Sequence, residues 1–394
     1  MQKQFPNKKT VLKIFILQGA FLPVPTKLGG AVEKMWFALG KEFAKQGHEV
    51  IQISRSYKDY PEEEYIDDVL HTRVKGYKTP SNGLYLKFLD LLYSVKAVRK
   101  ISKDADIIVT NSFWSPILIP GKLKSLCMVD VARMPKGQMR LYKQSMLRAN
   151  SSPVNSAIRK ELPYGISKRV VTIPNPLPFK DLPEVNLDEK KPFILYTGRV
   201  HPEKGLHILI EALSTLQKGW KLIIVGPHSF SEGGGGEKYM QELKKLAQQI
   251  DVIFTGPVNN DGKLNEYYKQ ASIFVYPSVA EKGETFGLAP LEAMAWGCVP
   301  VVSDLLCFQD FILPDKNGSA FNHRSKDAAQ LLASAIKKLQ HDPSLRKKIA
   351  LQALKVRQSH GVSCIASDFL KLFQKMQNDY KTKEYDSAFA GNFL

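Results

Sequence analysis

The chain has few cysteines, fewer acidic than basic residues, and no long apolar run. Only 4 of its 394 residues are cysteines, and they lie far apart, at Cys127, Cys298, Cys307 and Cys364. This spacing suggests neither a disulfide framework nor a zinc site, and it fits a reducing compartment. No run of 18 or more apolar residues occurs, so we expect no membrane-spanning helix.

The N-terminus also lacks the features of a secretory leader. Lys8 and Lys9 precede the apolar segment 11–17, but Lys13 interrupts that segment and Gln18-Gly19 ends it. A secretory signal needs a longer apolar region and a small-residue cleavage site. We therefore interpret the segment as a first buried β-strand and expect a cytoplasmic protein.

The shortage of acidic residues leaves a large positive charge. The chain has 56 Lys and Arg against 38 Asp and Glu, a formal net charge of +18, which concerns partners rather than fold. Residues 121–169 hold eleven basic residues against Asp130 and Glu161, and eleven minus two gives +9. Five apolar residues are interleaved with these charges: Met134, Met139, Leu141, Met146 and Leu147. We expect this basic block to dock on an anionic membrane or a lipid-diphosphate acceptor, the alternative being a solvated face.

The remaining composition is that of a globular protein. It is 44% apolar and 24% charged, which excludes collagenous, coiled-coil and wholly disordered chains. The length predicts two or three domains. Apolar runs at 11–17 and 49–54 flank a helical pattern at 31–46, which predicts a βαβ unit. Further strands are predicted at 107–110, 126–131 and 170–173.

A polar stretch at 180–191 predicts a linker, after which the same pattern restarts. Predicted strands alternate with predicted helices in this half, and residues 326 to about 375 are predicted to be helical. The predicted strands lie at 193–197, 221–225, 252–255, 273–276 and 299–302. The predicted helices lie at 205–216, 237–249, 262–270 and 287–296. The pattern predicts an α/β fold with a parallel sheet in each half. We place an N-terminal domain at 1–180 and a C-terminal domain at 191–360, with a helix after about 360 that can pack back on the first.

Two segments contain candidate functional residues. In the first, Glu284 precedes a predicted helix that contains Glu292, and the amides of Phe286, Gly287 and Leu288 would form an anion site at the helix start. The alternative is two solvated glutamates.

The second segment is GRVHPEKG at 198–205, at a predicted strand end. Arg199 and Lys204 can converge on one diphosphate, although surface exposure is the usual fate of such cations. The glycine run at 233–236 predicts a flexible loop, with a phosphate cradle as the alternative.

These two segments together resemble the retaining glycosyltransferases of family four. The resemblance rests on GRVHPEKG followed by ETFGLAPLEAMAWGCVPVVSD at 284–304, with GHEV at 47–50, IPN at 173–175, LIIVGP at 222–227 and YPS at 276–278. It implies the GT-B fold, in which two Rossmann-like domains face each other across a cleft. It also implies a bacterial enzyme that moves a hexose from UDP-glucose or a related UDP-hexose to a saccharide or lipid-linked acceptor, in envelope or exopolysaccharide synthesis, in the cytoplasm or peripherally on the inner membrane face. The chain faintly resembles a cyanobacterial heterocyst-envelope polysaccharide member.

The resemblance also implies residue roles. Arg199 and Lys204, with the amides at 286–288, would hold the donor diphosphate, and Glu292 would bind the ribose. Glu284 would contact the transferred sugar near the reacting carbon. The main chain at Val258 would bind the base. Gly29 and Gly30 would let the backbone approach the donor.

Several positions depart from the family pattern. Many members carry a histidine at a strand end where this chain has Asn111, so Asn111 remains only a candidate contact to the acceptor or sugar. Leu305-Leu306-Cys307 replaces a frequent Gly-Gly after Ser303-Asp304. Asp104-Ala105-Asp106 resembles the metal-binding DxD of another glycosyltransferase fold. It precedes a predicted strand, however, and ligands bind at strand ends. We therefore interpret it as a turn and expect no metal or other cofactor.

Two other classes of function remain as alternatives. The charge suggests a noncatalytic protein that binds nucleic acid or another anionic surface, but no nucleic-acid-binding motif supports this. A sugar-nucleotide epimerase or a phosphorylase of the same fold is disfavoured by Arg199, Lys204, Glu284 and Glu292 occurring together.

Overall fold

The structure, a computed structural model, describes residues 11–26, 30–178, 182–214, 219–258 and 260–390. The chain forms two compact units. The first unit comprises residues 1–150, 154–178 and 362–394, and the second comprises residues 151–153 and 179–361. Each unit is built on its own sheet.

The first unit contains an eight-stranded sheet in the order β3-β4-β2-β1-β5-β6-β7-β8. All neighbouring strands are parallel except β3 and β4, which are antiparallel. The strands are β1 Lys13–Leu17, β2 Glu49–Arg55, β3 Glu63–Ile66, β4 Val69–Val74, β5 Ile107–Thr110, β6 Cys127–Val131, β7 Met146–Ala149 and β8 Val170–Thr172. Its helices up to this point are α1 Ala31–Lys45, α2 Gly83–Val98, α3 Ser115–Leu118 and α4 Ser152–Glu161.

The second unit contains a six-stranded parallel sheet in the order β11-β10-β9-β12-β13-β14. Its strands are β9 Lys191–Thr197, β10 Lys221–Val225, β11 Val252–Gly256, β12 Ala271–Tyr276, β13 Val299–Ser303 and β14 Ser319–Phe321. Its helices are α5 Leu206–Leu213, α6 Gly236–Leu246, α7 Asp261–Gln270, α8 Leu288–Ala295, α9 Ala328–His341, α10 Pro343–Ala353 and α11 Val356–Ser359. Both units are thus Rossmann-like, which confirms the predicted α/β fold class.

The last helix, α12 Val362–Ala390, belongs to the first unit. It packs on α1, with Phe369 lying 5.1 Å from Trp36 and Phe373 lying 5.7 Å from Phe43 between ring centroids. These rings are buried in a cluster that also contains residues of β1 and β5. The core of the first unit therefore includes residues from both the beginning and the end of the described chain.

Four strands were not predicted from the sequence: β3, β4, β7 and β14. Two of them, β3 and β14, are short strands at sheet edges, and β7 has only four residues. Short runs offer too few residues for a periodicity to show. The predicted polar linker is also shorter than expected, because β9 already begins at Lys191.

The basic block at 121–169 differs from the predicted amphipathic surface. Met139 and Leu147 are buried in the core, Met134 packs against that core, and Leu141 is exposed. Arg148 is fully buried and forms a 2.7 Å ion pair with Asp130. Neither member of this pair lies on the surface. The rest of the block contains ten basic residues and one acidic residue, so its net charge is still +9. Within the described ranges, no helix has the length and hydrophobicity needed to cross a membrane.

Candidate active site

The candidate residues of the second unit lie at the carboxyl edge of its sheet. Strand β9 is flanked by β10 on one side and by β12 on the other. The chain order reverses between β9 and β12, so the ends of these two strands form a topological switch point, which is where open α/β sheets bind their ligands. The segment 198–205 follows β9, and the segment 277–287 follows β12. The two segments singled out in the sequence thus occupy this switch point.

Lys204 and Glu284 meet at the centre of the site. The Lys204 ammonium donates a 2.7 Å hydrogen bond to Glu284 Oε2, and the Tyr276 hydroxyl donates to the same oxygen at 3.2 Å. The two charged side chains are only 9% and 12% exposed. Burial, followed by the charge of Glu284, raises the pKa of Tyr276 well above its ordinary value, which keeps this hydroxyl a donor. The site therefore contains a partly desolvated ion pair with a neutral phenol beside it.

Gly205 allows these two loops to come together. Its φ is +66°, and a Cβ built there would lie 2.1 Å from the carbonyl oxygen of Pro277. A side chain at this position would force the β9 loop away from the β12 loop. The close approach is reinforced by a 2.9 Å hydrogen bond from the Val279 amide to the Glu203 carbonyl. Placement of Lys204 beside Glu284 therefore depends on this glycine.

Arg199 lies in the same loop but is held by other partners. Its guanidinium donates to Glu203 Oε1 at 2.7 Å and to the Gly233 carbonyl at 2.5 Å. The side chain is exposed, so a ligand can reach it. In this arrangement one face of the cation is used by the protein and the rest is open to solvent.

The glycine run, which the sequence predicts to be a flexible loop, forms a hydrogen-bonded turn in the structure. The Gly235 amide donates to the Val200 carbonyl at 2.8 Å, and the Gly236 amide donates to the His228 carbonyl at 2.7 Å. Helix α6 begins at Gly236. The run therefore connects β10 to α6 while packing against the loop that carries Arg199.

Helix α8 begins next to the ion pair. Its N-cap is Gly287, and no side chain caps its first amides. Gly287 has a φ of +95°, and a Cβ built there would lie 2.4 Å from the Phe308 ring. The side chain of Phe286 is buried and packs on Phe311, with ring centroids 5.4 Å apart. Phe286 can therefore offer a ligand its backbone, while its side chain stabilises the turn.

Glu292 lies within α8 and is half-buried. Its Oε2 accepts a 3.0 Å hydrogen bond from the Tyr268 hydroxyl, which in turn lies 2.6 Å from the Thr197 hydroxyl. The pKa of Tyr268 is raised well above its ordinary value by burial and by the Glu292 charge. The phenol therefore stays protonated and can orient the carboxylate.

Tyr268 and Tyr276 were missed from the sequence. A tyrosine near the end of a strand or helix is usually a core residue, and its hydroxyl partner comes from a different segment. The YPS motif pointed to the position of Tyr276 without giving its role. Tyr196 was missed as well; it stacks on Tyr276 at 5.6 Å and donates to the Arg199 carbonyl at 2.8 Å.

Val258 is half-buried and follows β11. This places its main chain at the carboxyl edge of the same sheet as Lys204 and Glu284.

In the first unit, the candidate residues also follow strands. Gly30 has a φ of +102° and precedes α1, and a Cβ there would lie 2.4 Å from Glu33 Oε2. Burial raises the pKa of the Glu33 carboxyl. Asn111 follows β5, and its Oδ1 is buried without a hydrogen-bond partner among the described residues. Gly29 lies outside the described residues.

The Asp104-Ala105-Asp106 segment is a turn before β5, as predicted. The Lys13 amide donates to Asp106 at 2.9 Å, and the Lys13 ammonium contacts Asp104 at 3.1 Å. Both carboxylates thus lie at the amino end of the strands, opposite the edge where ligands bind. Across the described part of the chain, no group of three or more His, Cys, Asp or Glu residues could hold a metal ion. Cys298 and Cys307 are buried, as predicted.

The comparisons with known proteins agree with this geometry. Residues 179–356 match the family model described as "Glycosyl transferases group 1". Over 140 residues the chain is 31% identical to the lipopolysaccharide 1,2-N-acetylglucosaminetransferase of Salmonella typhimurium, an alignment that covers 34% of this chain and 36% of that protein. The chain thus spans only about a third of the length of this curated relative.

Solved structures match over nearly the whole chain. Sucrose-phosphate synthase from Thermosynechococcus elongatus aligns with a TM-score of 0.70 at 19% identity, covering 92% of this chain and 99% of that one. Anabaena HepE in complex with UDP aligns with a TM-score of 0.65 at 16% identity, covering 92% of this chain and 100% of that one. At such low identity the likeness shows the fold, which is the GT-B fold with two Rossmann-like domains.

Proposed function

We propose that this chain, whose residues 179–356 match the family model of group 1 glycosyl transferases, is a retaining hexosyltransferase. Its donor would be UDP-glucose or a related UDP-hexose, and its acceptor a saccharide or a lipid-linked saccharide in envelope polysaccharide synthesis. The observation that carries the proposal is the partly buried Lys204–Glu284 pair beside the uncapped start of α8. The activity class also agrees with the glycosyltransferase relatives.

The donor diphosphate would bind to Lys204, Arg199 and the amides at 286–288. When the glycosyl–phosphate bond breaks, negative charge grows on the leaving diphosphate. Fixed cations and helix-start amides stabilise that charge without reorganising. Lys204 is already partly desolvated, so its attraction to an anion is screened less than that of a surface lysine. Arg199 is exposed enough for its guanidinium to reach the outer phosphate.

Glu284 would act on the sugar. As the leaving group departs, positive charge develops at the anomeric carbon, and a carboxylate near that carbon stabilises it. Its hydrogen bonds from Lys204 and Tyr276 both fall on Oε2, which leaves Oε1 to face the sugar. For retention, the acceptor oxygen would bond to the anomeric carbon on the face that the phosphate leaves, and the acceptor proton would pass to the departing phosphate oxygen.

Glu292 and Val258 would hold the nucleoside. We propose that Glu292, oriented by Tyr268, accepts hydrogen bonds from the ribose hydroxyls. The main chain at Val258 would bind the base. HepE has been solved with UDP and with UDP and glucose, which supports a uridine donor as the first to test.

We propose that Gly29, Gly30 and Asn111 contact the donor, the transferred sugar or the acceptor. The positive φ of Gly30 fits a close backbone approach to a ligand. The Asn111 Oδ1 has no hydrogen-bond partner among the described residues. Because buried polar atoms are normally hydrogen-bonded, this oxygen would accept a hydrogen bond from a hydroxyl of the transferred sugar or of the acceptor substrate.

We propose that the reaction needs no divalent cation, since Lys204, Arg199 and the α8 amides would together stabilise the charge of the diphosphate. Turnover should then persist in excess EDTA, and Asp104→Ala with Asp106→Ala should leave it unchanged. Complete loss in EDTA, restored by Mg²⁺ or Mn²⁺, would overturn this part of the proposal.

The experiment that tests the function is a thermal-shift panel of UDP-, GDP- and ADP-sugars, with and without magnesium, followed by product analysis. We expect stabilisation by UDP and UDP-hexoses that is lost in Lys204→Ala. The matched control is Lys347→Ala, because Lys347 also forms a 2.7 Å ion pair, with Asp188, on the surface of the same unit. A protein stabilised by oligonucleotides and by no nucleotide sugar would instead favour the nucleic-acid alternative.

A further inference from the structure

Helix α2 of the first unit is apolar on two opposite faces. Its sequence, GLYLKFLDLLYSVKAV, contains only three charged residues, Lys87, Asp90 and Lys96. One face, with Leu89, Tyr93 and Ala97, is buried in the core of the unit. A surface helix normally has polar residues on the face away from the core. In α2 that face is apolar as well, and core packing does not explain it.

The exposed face of α2 is defined by four side chains. Leu84, Phe88 and Leu92 recur every four residues and so line one side of the helix, and Tyr85 lies beside them. The exposed fraction is 81% for Leu84, 53% for Tyr85 and for Phe88, and 37% for Leu92. The rings of Tyr85 and Phe88 stack, with centroids 6.4 Å apart. An exposed apolar patch of this kind is typical of an interaction surface.

Basic residues flank this apolar face in the sequence. Residues 75–103 contain seven Lys and Arg against the single acidic residue Asp90, and seven minus one gives +6. Asp90 is buried and accepts a hydrogen bond from the Phe113 amide at 3.2 Å, so it adds no exposed negative charge. Lys100 is paired with Glu62 at 3.6 Å, which offsets one of the seven basic residues. Lys87 and Lys96 are exposed on α2 itself.

The same surface is connected to the basic block at 121–169 through aromatic contacts. The Lys87 ammonium lies 4.9 Å from the centroid of the Phe113 ring, and the Tyr142 hydroxyl donates to the Phe113 carbonyl at 2.9 Å. Tyr142 follows Leu141, which is exposed. Arg140 and Lys143 on either side of this pair are exposed too. One apolar face and two groups of cations therefore meet on this unit.

We propose that the exposed face of α2 (Leu84, Tyr85, Phe88 and Leu92) inserts into the headgroup region of an anionic phospholipid bilayer, with the surrounding lysines on the lipid phosphates. A helix with Leu and Phe on its outer face and lysines beside them is suited to lie in the plane of that interface. A second copy of this chain fits less well, because a symmetric contact would bring two basic surfaces together. The inference rests on this surface alone and does not depend on the proposed reaction.

The test is sedimentation of the full chain with vesicles of phosphatidylcholine alone, or of phosphatidylcholine with about a third phosphatidylglycerol. We expect binding to the anionic vesicles, weakened by salt, and little binding to the neutral ones. Leu84→Ser, Tyr85→Ser, Phe88→Ser and Leu92→Ser together should weaken it at least about tenfold. The matched control is Leu331→Ser with Leu351→Ser, which changes two exposed leucines of the second unit and should leave binding unchanged.

The variant with four serine substitutions, the fourfold variant, could fail to fold, so two further measurements test the proposal: single lysine substitutions and the fluorescence of Trp114. Lys87→Gln and Lys96→Gln should each weaken binding about fivefold, whereas Lys337→Gln in the second unit should not. Trp114 lies against α2, its indole donating to the Lys87 carbonyl at 2.8 Å. Lipids with brominated acyl chains should therefore quench part of the tryptophan emission, and Trp114→Phe should remove that part.

Two results would overturn the proposal. One is vesicle binding that stays the same when the exposed face or its lysines are changed. The other is absence of binding by the unmodified chain, together with a dimer in light scattering that the fourfold variant dissociates. Donor binding is measured separately by thermal shift, so failure here leaves the proposed reaction standing, and the reverse also holds.

Discussion

The Arg148–Asp130 pair of the first unit and the Lys204–Glu284 pair of the second are both partly or fully buried, and they are built differently. In the first unit, Arg148 donates to Asp130 and also to the Ile173 carbonyl at 2.7 Å and to Asn175 Oδ1 at 2.9 Å. Asp130 accepts a further 2.8 Å bond from the Trp36 indole. Both charged side chains are 0% exposed. This pair is sealed from solvent and has partners on every side.

The Lys204–Glu284 pair of the second unit retains capacity for a ligand. An ammonium has three donors, and among the described residues Glu284 is its hydrogen-bond acceptor, while the Tyr276 ring lies 5.3 Å away. The pair also remains slightly exposed. Burial of a charged side chain therefore does not by itself identify a ligand-binding site. Unused donors, together with a path to solvent, distinguish the candidate site from a structural network.

The largest effect should follow from breaking the sealed pair. Asp130→Ala leaves Arg148 as a buried charge without its carboxylate, and we expect the free energy of unfolding to fall by about 3–5 kcal/mol. Urea denaturation measures this. The control Asp188→Ala breaks a surface pair with Lys347 and should cost less than about 1 kcal/mol. Equal losses in the two variants would contradict the distinction between the pairs.

The next effect is kinetic and concerns Glu284. Glu284→Gln removes the carboxylate charge proposed to stabilise the transition state, and we expect kcat to fall roughly a hundredfold with UDP affinity nearly unchanged. Glu292→Gln removes the proposed ribose contact, which would be present before and during the reaction, so KM should rise instead. Steady-state kinetics and UDP titration separate the two. The assignment of roles would be reversed if Glu284→Gln abolished UDP binding and left turnover at saturation intact.

Removing Lys204 should affect binding more than folding. Lys204→Ala is expected to weaken UDP binding by about 1.5–3 kcal/mol, the usual loss for a charge-assisted hydrogen bond. The fall in unfolding free energy should be smaller than for Asp130→Ala, because the partner Glu284 keeps the Tyr276 hydroxyl. Calorimetric titration and urea denaturation give both numbers. Unchanged UDP affinity in folded protein carrying both Lys204→Ala and Arg199→Ala would remove the diphosphate assignment.

The smallest effect concerns pH and a buried histidine near the site. Burial lowers the pKa of His360 to about 4, below its ordinary 6.5. The unfolded chain therefore binds a proton that the folded chain resists, and stability is lost as pH falls from about 6.5 toward 4. His360→Gln should flatten this decline in urea midpoints measured between pH 7 and 5.

Asp90 in the first unit provides a comparison of opposite sign. Burial raises its pKa from 3.8 to about 6, so its contribution favours folding at low pH and is lost as pH rises through 6. Asp90→Asn should therefore make the decline at low pH steeper. Identical pH profiles for both variants and the unmodified chain would show that neither group titrates as its burial requires.

Much of the fold and of the second unit's site could be predicted from the sequence. The strands β5 and β10 agree with the predicted ranges residue for residue, because buried parallel strands read as continuous apolar runs. The loops with Lys204 and Glu284 were recognised because fixed motifs mark strand ends. The pairing of these two side chains was not predicted, since it depends on how two loops 80 residues apart approach each other.

The net charge of the block at 121–169 was counted correctly, but the count did not show which of its charges are buried. Arg148 was counted among surface cations, yet its partner Asp130 lies on the adjacent strand, 18 residues away in the chain. The exposed apolar face of α2 was not predicted either, because the spacing of apolar residues in a helix does not show which of them are covered. In both cases only the contacts in the folded protein show whether a residue is buried or exposed.

The contribution of α12 to the first unit has a consequence for how the chain is made. Residues 179–361 must leave the ribosome before α12 can reach α1. At about 5–20 residues per second, this interval lasts roughly 10–40 s, during which Trp36 and Phe43 lack the rings that cover them. The second unit, continuous apart from three residues, is synthesised in full during that time. We therefore expect the second unit to fold before the first, and the first unit to need protection from aggregation until α12 has emerged.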